Sequence, residues 1–377
     1  MCRRFDSYRG HMKTNNAVSQ RFILLDGLRM VAALGVLSFH IVVITDYMQL
    51  DNLYVLVDFF FALSGFVLLP SMPQSIRTLP KDFGVFALKR ALRFFPMVFL
   101  VISLSMGLYY LNQLQSQIQF NSFAPDPNRT QGLVWAAIFM LQIWVSQSMY
   151  MVVPLWSLSA EWFANLIFAP LTTVKWGIGI VLGIVAGYVM LQYGLTNDTD
   201  WIGNIGPIRE WEALGRAMVG FGLGLFVRLY FDFFSRFRHW TLLLISVAGA
   251  YWVFQMPNDI GYDSGYFASP IFVFFILQVS KIEVSAESKW GRFLAWMGSL
   301  SFGVYAFHQV VITNIEKFMP TPNYFATDSI WAGYFIAKIC AVAFISMTLA
   351  WLVRQFVERK IQKGTMPMFA RLALKSK

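Results

Sequence analysis

Residues 26–45 read DGLRMVAALGVLSFHIVVIT, an apolar run in which only Asp26, Arg29 and His40 are ionisable. As a helix, this stretch would be about 30 Å long, which is the hydrocarbon thickness of a bilayer. It therefore predicts a membrane-spanning helix. The whole chain has the same character, because 57% of its 377 residues are hydrophobic and only 13% are charged. That composition excludes a water-soluble globule, a disordered chain and a collagen-like protein.

Nine further apolar stretches are interpreted as membrane spans, since a crossing helix takes about 17–25 residues. An eleventh apolar run, GLVWAAIFMLQIW at residues 132–144, is shorter and is followed by polar residues. We interpret it as a re-entrant or surface helix on the outer face. The sequence thus predicts an all-α, polytopic membrane bundle of about ten transmembrane helices. The predicted spans are residues 26–45, 53–70, 94–111, 155–172, 176–194, 213–230, 240–256, 267–280, 293–314 and 330–353.

The chain carries 30 basic and 20 acidic residues, a net charge of +10. In a soluble protein this excess could indicate nucleic-acid binding, but in a membrane protein Lys and Arg accumulate in cytoplasmic loops. If both termini are cytoplasmic, 25 of the 30 basic residues fall on the cytoplasmic side. We therefore predict cytoplasmic N- and C-termini and no nucleic-acid partner.

No linker or repeat divides the chain into separate domains. Basic residues precede the first span as in a signal peptide, but no small-residue cleavage site accompanies them. We expect a basic cytoplasmic N-terminal segment at residues 1–22, one transmembrane domain at residues 23–353 and a basic cytoplasmic tail at residues 354–377. The two cysteines, Cys2 and Cys340, indicate neither a disulfide nor a metal site.

Ionisable groups inside a bilayer are costly, so each one is a candidate functional residue. Arg29 and His40 lie eleven residues apart, which places them within about 20° on one helix face and about 16 Å apart along it. The alternative for His40 is a structural hydrogen bond between helices. The alternative for Arg29 is snorkelling to the inner interface.

The second span, LYVLVDFFFALSGFVLLP, places Asp58 at a depth close to that of His40. A carboxylate there could orient an imidazole, as in other pairs of base and orienting group. The alternative is an interfacial Asp in contact with water. Ser64 is interpreted as a small packing residue.

The first inner loop contains FALKRALRFFP, in which Arg90 and Arg93 project to the same side of a helix. Two guanidinium groups placed in this way can bind a phosphate through paired hydrogen bonds. The alternative is the ordinary basic flank of a membrane span.

Two later spans carry polar stripes at helical spacing. Glu161 lies between Ser157 and Asn165 in WSLSAEWFANLIFAP, and Tyr305 and His308 lie three residues apart in LSFGVYAFHQVV. Four helices would thus each direct a polar group to one membrane level. Arg216 and Lys338 are further cations within spans and rank below these candidates.

Five segments resemble, in order, motifs of the acyltransferase 3 family of integral membrane acyltransferases, which modify extracytoplasmic glycans in bacteria. The resemblance covers most of the chain and implies an enzyme that needs no permanently bound cofactor or metal. Its donor substrate would be acyl-coenzyme A, with acetyl-coenzyme A expected. The segments are LDGLRMVAALGVLSFH, DFFFALSGFVLL, KRALRFFP, LWSLSAEWF and LSFGVYAFHQVV.

The resemblance also implies roles for individual residues. His40 would be the catalytic base or a transient acyl carrier, with Asp58 or Glu161 orienting it. Arg90 and Arg93, with Arg29 near the mouth, would bind the donor. The residues that would support the substrate or the site are Trp156, Ser159, Tyr305 and His308.

The implied partners are acyl-coenzyme A, membrane lipid and a glycan or lipid-linked saccharide acceptor, and the implied location is the bacterial inner membrane. Direct transfer and a covalent acyl-histidine relay both remain open. The competing interpretation is a transporter or flippase of a sugar-containing substrate, because intramembrane His, Glu and Asp also form proton relays. A structural membrane subunit is a third interpretation.

Overall fold

The computed structural model describes residues 22–45, 48–115, 134–145, 152–197, 210–237, 239–255, 261–322 and 328–365. Every regular element in these ranges is helical. The predicted N-terminal segment, apart from Phe22, and the last part of the predicted tail lie outside the described residues.

Ten helices of 13 residues or more build the described part of the chain. Each overlaps one of the ten predicted spans, because long apolar runs without a helix-breaking cluster favour this geometry in lipid. The bounds are α1 Ile23–Thr45, α2 Leu56–Leu68, α3 Leu79–Gln115, α4 Leu155–Leu171, α5 Ile178–Asn197, α6 Glu210–Leu229, α7 Trp240–Phe254, α8 Gly261–Val279, α9 Lys289–Ile315 and α10 Asp328–Val353.

Five segments of the described chain are long and apolar enough to cross a membrane: Ile23–Val42, Asn52–Ser71, Leu79–Asn112, Lys175–Gly194 and Ser329–Thr365. A sixth is obtained when α6 and the short helical piece after it are counted as one bent span, and α7 and α8 are shorter apolar helices. Large apolar side chains on the outer helices point away from the protein, as on Ile336 and Phe344 of α10. The protein is therefore a polytopic helical membrane protein, while the total of ten spans stays a prediction.

The centre of the bundle is formed by α1, α2, α6 and α9. Helix α2 packs closely on α6, and α9 packs on α1 and on α10. Glycine allows α2 and α6 to pack this closely, because a Cβ atom on Gly65 would lie 1.9 Å from the carbonyl oxygen of Phe221. A Cβ atom on Gly224 would in turn lie 2.1 Å from the carbonyl oxygen of Ala62. The polar residues of α2 and α6 are consequently held at a fixed separation.

The ambiguous run at residues 132–144 is described from residue 134 onward. It is helical over residues 134–138 and continues as turns, with Met140 in the left-handed region at φ 57°. The Ser159 hydroxyl of α4 donates to the Met140 carbonyl at 2.5 Å, and Ala137, Met140 and Ile143 are buried. The described part of this segment is too short to cross a bilayer as a helix and instead packs against α4.

Candidate active site

Helices α1 and α9 run side by side in the same direction. Near one end, a Cβ atom on Gly298 would lie 2.5 Å from the Asp26 carbonyl oxygen, and one on Gly27 would lie 2.5 Å from the Leu294 side chain. This close approach continues along the pair and brings the polar residues in the second half of α9 to the second half of α1.

His40 and His308 meet where these two helices are in contact. The Nε2 atom of His308 lies 3.3 Å from the Nδ1 atom of His40, and the ring centroids are 4.9 Å apart. The same Nδ1 atom of His40 lies 2.9 Å from the Val36 carbonyl oxygen. Both side chains are buried, His308 completely and His40 with 8% exposure. The structure therefore brings two of the predicted site residues together.

Tyr305 links this histidine pair to α4. Its carbonyl oxygen lies 2.7 Å from His308 Nδ1, and its hydroxyl group lies 2.6 Å from the Ser157 hydroxyl. Ser157 also donates to the Pro154 carbonyl oxygen at 3.0 Å. A buried chain of hydrogen bonds thus runs from the start of α4 through α9 to His40.

Asp58 makes a different contact from the one expected. Its two carboxylate oxygens accept hydrogen bonds from Arg216 Nη2 at 2.6 Å and from Arg216 Nε at 3.3 Å. No described residue other than His308 and Val36 hydrogen bonds to His40. The expected orienting contact between Asp58 and His40 is therefore not formed, because the guanidinium group on the adjacent helix engages both oxygens.

The Asp58–Arg216 ion pair is fully buried, with exposures of 0% and 1%. The Arg216 guanidinium carbon lies 5.3 Å from the Tyr54 ring centroid and 5.7 Å from the Trp156 ring centroid. Trp156, one of the predicted support residues, therefore covers this ion pair. An aromatic face adds a further attraction for a desolvated cation.

Glu161 belongs to a second polar cluster, formed with Arg29, Arg90 and Arg93. All three arginines act electrostatically on its carboxylate, as does the Ser64 hydroxyl, but none of them forms a direct ion pair with it in the described structure. The arginines act on one another as like charges, and Asp26 also acts on Arg29. We refer to Arg29, Arg90, Arg93 and Glu161 as the arginine cluster.

The arginine cluster is open to its surroundings. Arg29 and Arg90 are half-buried and Arg93 is exposed, while the buried Nε atom of Arg90 has no hydrogen-bond partner. The Arg93 guanidinium carbon lies 5.1 Å from the ring centroid of Phe302 on α9. Such a site can bind an anionic group through several charge-assisted hydrogen bonds.

The sequence pattern located these groups but did not assign all of their partners. Arg216 pairs with Asp58, a partner that the sequence spacing does not indicate, although a buried Arg within an apolar span requires a nearby carboxylate. Ser64 was interpreted as a packing residue, yet it interacts with Glu161. Ser159 holds the segment at residues 134–145, as described above, and does not take part in the His40–His308 contact.

Lys338 and its partners lie apart from this site. Lys338 donates hydrogen bonds to Glu316 and to the Tyr334 hydroxyl, so this intramembrane cation is already compensated. Within the described ranges, no three His, Cys, Asp or Glu side chains are placed to hold a metal ion.

Comparison with known proteins gives the family. The acyltransferase domain of the acyltransferase 3 family matches residues 22–354, which is most of the chain. A protein of Rhizobium radiobacter described as "Protein 2 in picA locus" is 30% identical over 167 residues, which cover 42% of this chain and 83% of that protein. No solved structure matches. The chain therefore belongs to the acyltransferase 3 family of membrane acyltransferases and is an enzyme of that transferase class.

Proposed function

We propose that this enzyme transfers an acyl group from cytoplasmic acyl-coenzyme A to a hydroxyl group of an extracytoplasmic glycan or lipid-linked sugar. The expected donor is acetyl-coenzyme A, which would make the reaction an O-acetylation. The observation that carries the proposal is the arrangement of two polar clusters on α1. The open arginine cluster lies at the level of Arg29, and the closed histidine pair lies eleven residues further along the same helix, about 16 Å away.

The proposed topology has about ten spans with both termini in the cytoplasm of a bacterial cell and the bundle in its inner membrane. The distribution of Lys and Arg supports this orientation. In this arrangement the arginine cluster faces the cytoplasm, His40 lies in the outer half, and residues 132–144 form a re-entrant or surface segment on the outer face. The transmembrane acyltransferase domain then comprises residues 23–353, between the basic segments at residues 1–22 and 354–377.

Donor binding is assigned to the arginine cluster. The phosphate groups of acyl-coenzyme A carry several negative charges, whereas Arg29, Arg90 and Arg93 outnumber the carboxylates that act on them, which are Glu161 and, on Arg29, Asp26. Bidentate contacts from guanidinium groups suit phosphate oxygens. The pantetheine arm then extends between helices toward His40, so that the thioester reaches the level at which the acceptor arrives from outside.

The chemical step is assigned to His40. Its Nε2 atom removes the proton from the acceptor hydroxyl, and the oxygen attacks the thioester carbonyl carbon. The carbon–sulfur bond then breaks, and the departing thiolate takes the proton from Nε2, so that coenzyme A leaves as a thiol. In the covalent alternative, Nε2 attacks the thioester carbonyl carbon, the carbon–sulfur bond breaks and coenzyme A departs as thiolate. The acceptor oxygen then attacks the acyl carbon, the bond to Nε2 breaks, and the hydroxyl proton passes to the thiolate.

The first test is acyl transfer in isolated membranes that contain the protein. Membranes are incubated with radiolabelled acetyl-coenzyme A, and label is measured in the glycan and lipid fractions. Wild-type membranes should transfer label, and His40→Ala should reduce transfer by about 10²–10⁴-fold because the general base is lost. The matched control is His239→Asn, which changes an exposed histidine at the start of α7.

Full activity of His40→Ala, at equal amounts of inserted protein, would exclude His40 as base or acyl carrier. Absence of label from every fraction with wild-type membranes, including after acyl donors of other lengths, would exclude the proposed donor class. Comparison of surface glycan composition with and without the protein then identifies the acceptor.

A further inference from the structure

The two histidines at the centre of the site are not equivalent. His308 Nδ1 faces the Tyr305 carbonyl oxygen at 2.7 Å, and His308 Nε2 faces His40 Nδ1 at 3.3 Å, so both of its ring nitrogens are engaged. His40 uses Nδ1 for its two contacts, and no described residue hydrogen bonds to its Nε2 atom. His40 therefore has a ring nitrogen to offer to a substrate, and His308 does not.

The positions of the ring protons follow from the carbonyl groups. A carbonyl oxygen only accepts hydrogen bonds, so the ring nitrogen that faces it must carry the proton. The Val36 carbonyl thus favours a proton on His40 Nδ1, which it shares with His308 Nε2, and the Tyr305 carbonyl favours one on His308 Nδ1. In neutral His308 the Nε2 atom is then a bare acceptor that receives the His40 Nδ1–H. Because this proton is on Nδ1, the Nε2 atom of neutral His40 carries a free lone pair.

We propose that His308 is a positioning residue that holds His40 in the tautomer with a proton on Nδ1, so that the Nε2 lone pair faces the reacting groups. This inference rests on the proposed function, in which His40 is the base or acyl carrier. His308 takes the place that a carboxylate occupies in many triads, where the third group orients the imidazole and stabilises its cation.

A neutral imidazole suits this place in a membrane protein. A carboxylate at this depth would add a buried charge, which is costly within a bilayer. His308 adds no charge in the resting enzyme. When His40 Nε2 takes up a proton or an acyl group, its ring becomes positive, and the Nδ1–H···Nε2 bond to His308 becomes charge-assisted and stronger. The stabilisation is thus provided mainly in the charged state.

The test compares two substitutions of His308. His308→Leu keeps an apolar side chain but removes the acceptor, and it should lower kcat about 10- to 100-fold with the KM for acyl-coenzyme A unchanged, as for loss of other second-layer partners. His308→Gln offers a carbonyl oxygen to the His40 Nδ1–H and should recover most of that loss. Ser301→Ala, which removes a different buried hydrogen bond of α9, serves as the structural control.

A spectroscopic measurement reports the tautomer directly. The chain has four histidines, so labelling with ¹⁵N-histidine gives few ring signals, and His40→Ala assigns those of His40. Wild-type protein in micelles should show the His40 proton on Nδ1. In His308→Leu only the Val36 carbonyl still accepts from Nδ1, so the share of the tautomer with a proton on Nε2 should rise measurably. This measurement needs no substrate, so it remains decisive if the wild-type enzyme transfers no label.

Three results would overturn the proposal. One is a wild-type His40 with its proton on Nε2. Another is equal activity of His308→Gln and His308→Leu, because rescue by an acceptor separates positioning from packing. The third is loss of transfer in His308→Gln together with retained transfer in His40→Ala, which would exchange the roles of the two residues.

Discussion

Two clusters of opposite charges lie within this bundle, and they are built on different principles. In the Asp58–Arg216 pair, one cation meets one anion through two hydrogen bonds, and both side chains are completely buried. In the arginine cluster, three cations are near Glu161, Asp26 also acts on Arg29, Arg93 is exposed, and the Arg90 Nε atom has no hydrogen-bond partner. The charges of the first cluster balance. The second cluster has an excess of positive charge at an accessible position.

The difference indicates which cluster binds a ligand. A balanced, desolvated ion pair gains nothing from a further charged partner, and it joins α2 to α6 at a fixed distance. An unbalanced and accessible group of arginines is stabilised by an added anion, which in the proposed function is the phosphate part of the donor. Charge balance and exposure thus separate a structural ion pair from a binding site although both contain Arg and an acidic residue.

The largest expected effect concerns the balanced pair. Asp58→Asn leaves the Arg216 guanidinium buried without its counter-ion, and removal of one partner of a buried pair costs about 3–5 kcal/mol. Thermal unfolding in detergent micelles should show a large loss of stability. Asp232→Asn, which changes an exposed aspartate, should have little effect.

The double variant Asp58→Leu with Arg216→Met removes both charges and should recover much of the stability lost by Asp58→Asn. Wild-type stability of Asp58→Asn would contradict the structural assignment of this pair and would return Asp58 to the candidate catalytic groups.

The next effect concerns the open cluster. Arg90→Ala combined with Arg93→Ala should raise the KM for acyl-coenzyme A at least about tenfold, since one hydrogen bond to a charged group contributes about 1.5–3 kcal/mol. The stabilisation of the protein by added acyl-coenzyme A, read as a thermal shift, should disappear. The control is Lys81→Ala with Lys89→Ala, which removes two charges from the same segment. If both double variants behave alike, the arginines act only as the basic flank of a span.

Salt should distinguish the two clusters without any substitution. The Debye length is about 10 Å at 0.1 M salt and about 3 Å at 1 M, so attraction of a phosphate to the exposed arginines weakens as salt is added. The KM for the donor should rise several-fold while kcat changes little. The unfolding temperature should show no matching loss, because the Asp58–Arg216 pair is shielded from solvent. A KM that is independent of salt would argue against donor binding at this cluster.

The smallest expected effect distinguishes two roles for Glu161. If it mainly balances the arginines, Glu161→Gln should lower the KM for the donor roughly two- to fivefold, which corresponds to about 0.4–1 kcal/mol. The value of kcat should stay close to that of the wild type, and Asn165→Ala on the same helix face serves as a comparison. A large fall in kcat with unchanged donor binding would instead support the catalytic role that the sequence motif implies.

Helices and candidate residues could be predicted from sequence because they depend on local properties. Apolar length marks the spans, and the spacing of Arg29 and His40 fixes their separation along α1. The partners could not be predicted in this way. The Asp58–Arg216 pair joins residues 158 positions apart, and its formation depends on the glycine crossing of α2 and α6. The meeting of His40 with His308 likewise depends on how closely α9 approaches α1, which no single segment encodes.

The continuity of α1 has a consequence for which acyl groups the enzyme accepts. The helix runs without interruption from Ile23 to Thr45 and carries both Arg29 and His40. In the proposed mechanism it therefore sets the distance between the phosphate site and the reacting atom. Every acyl-coenzyme A has the same length from phosphate to sulfur, and donors differ only beyond the thioester. Selection among acyl groups must then be made by side chains past His40, and a change of acyl preference would leave the arginines untouched.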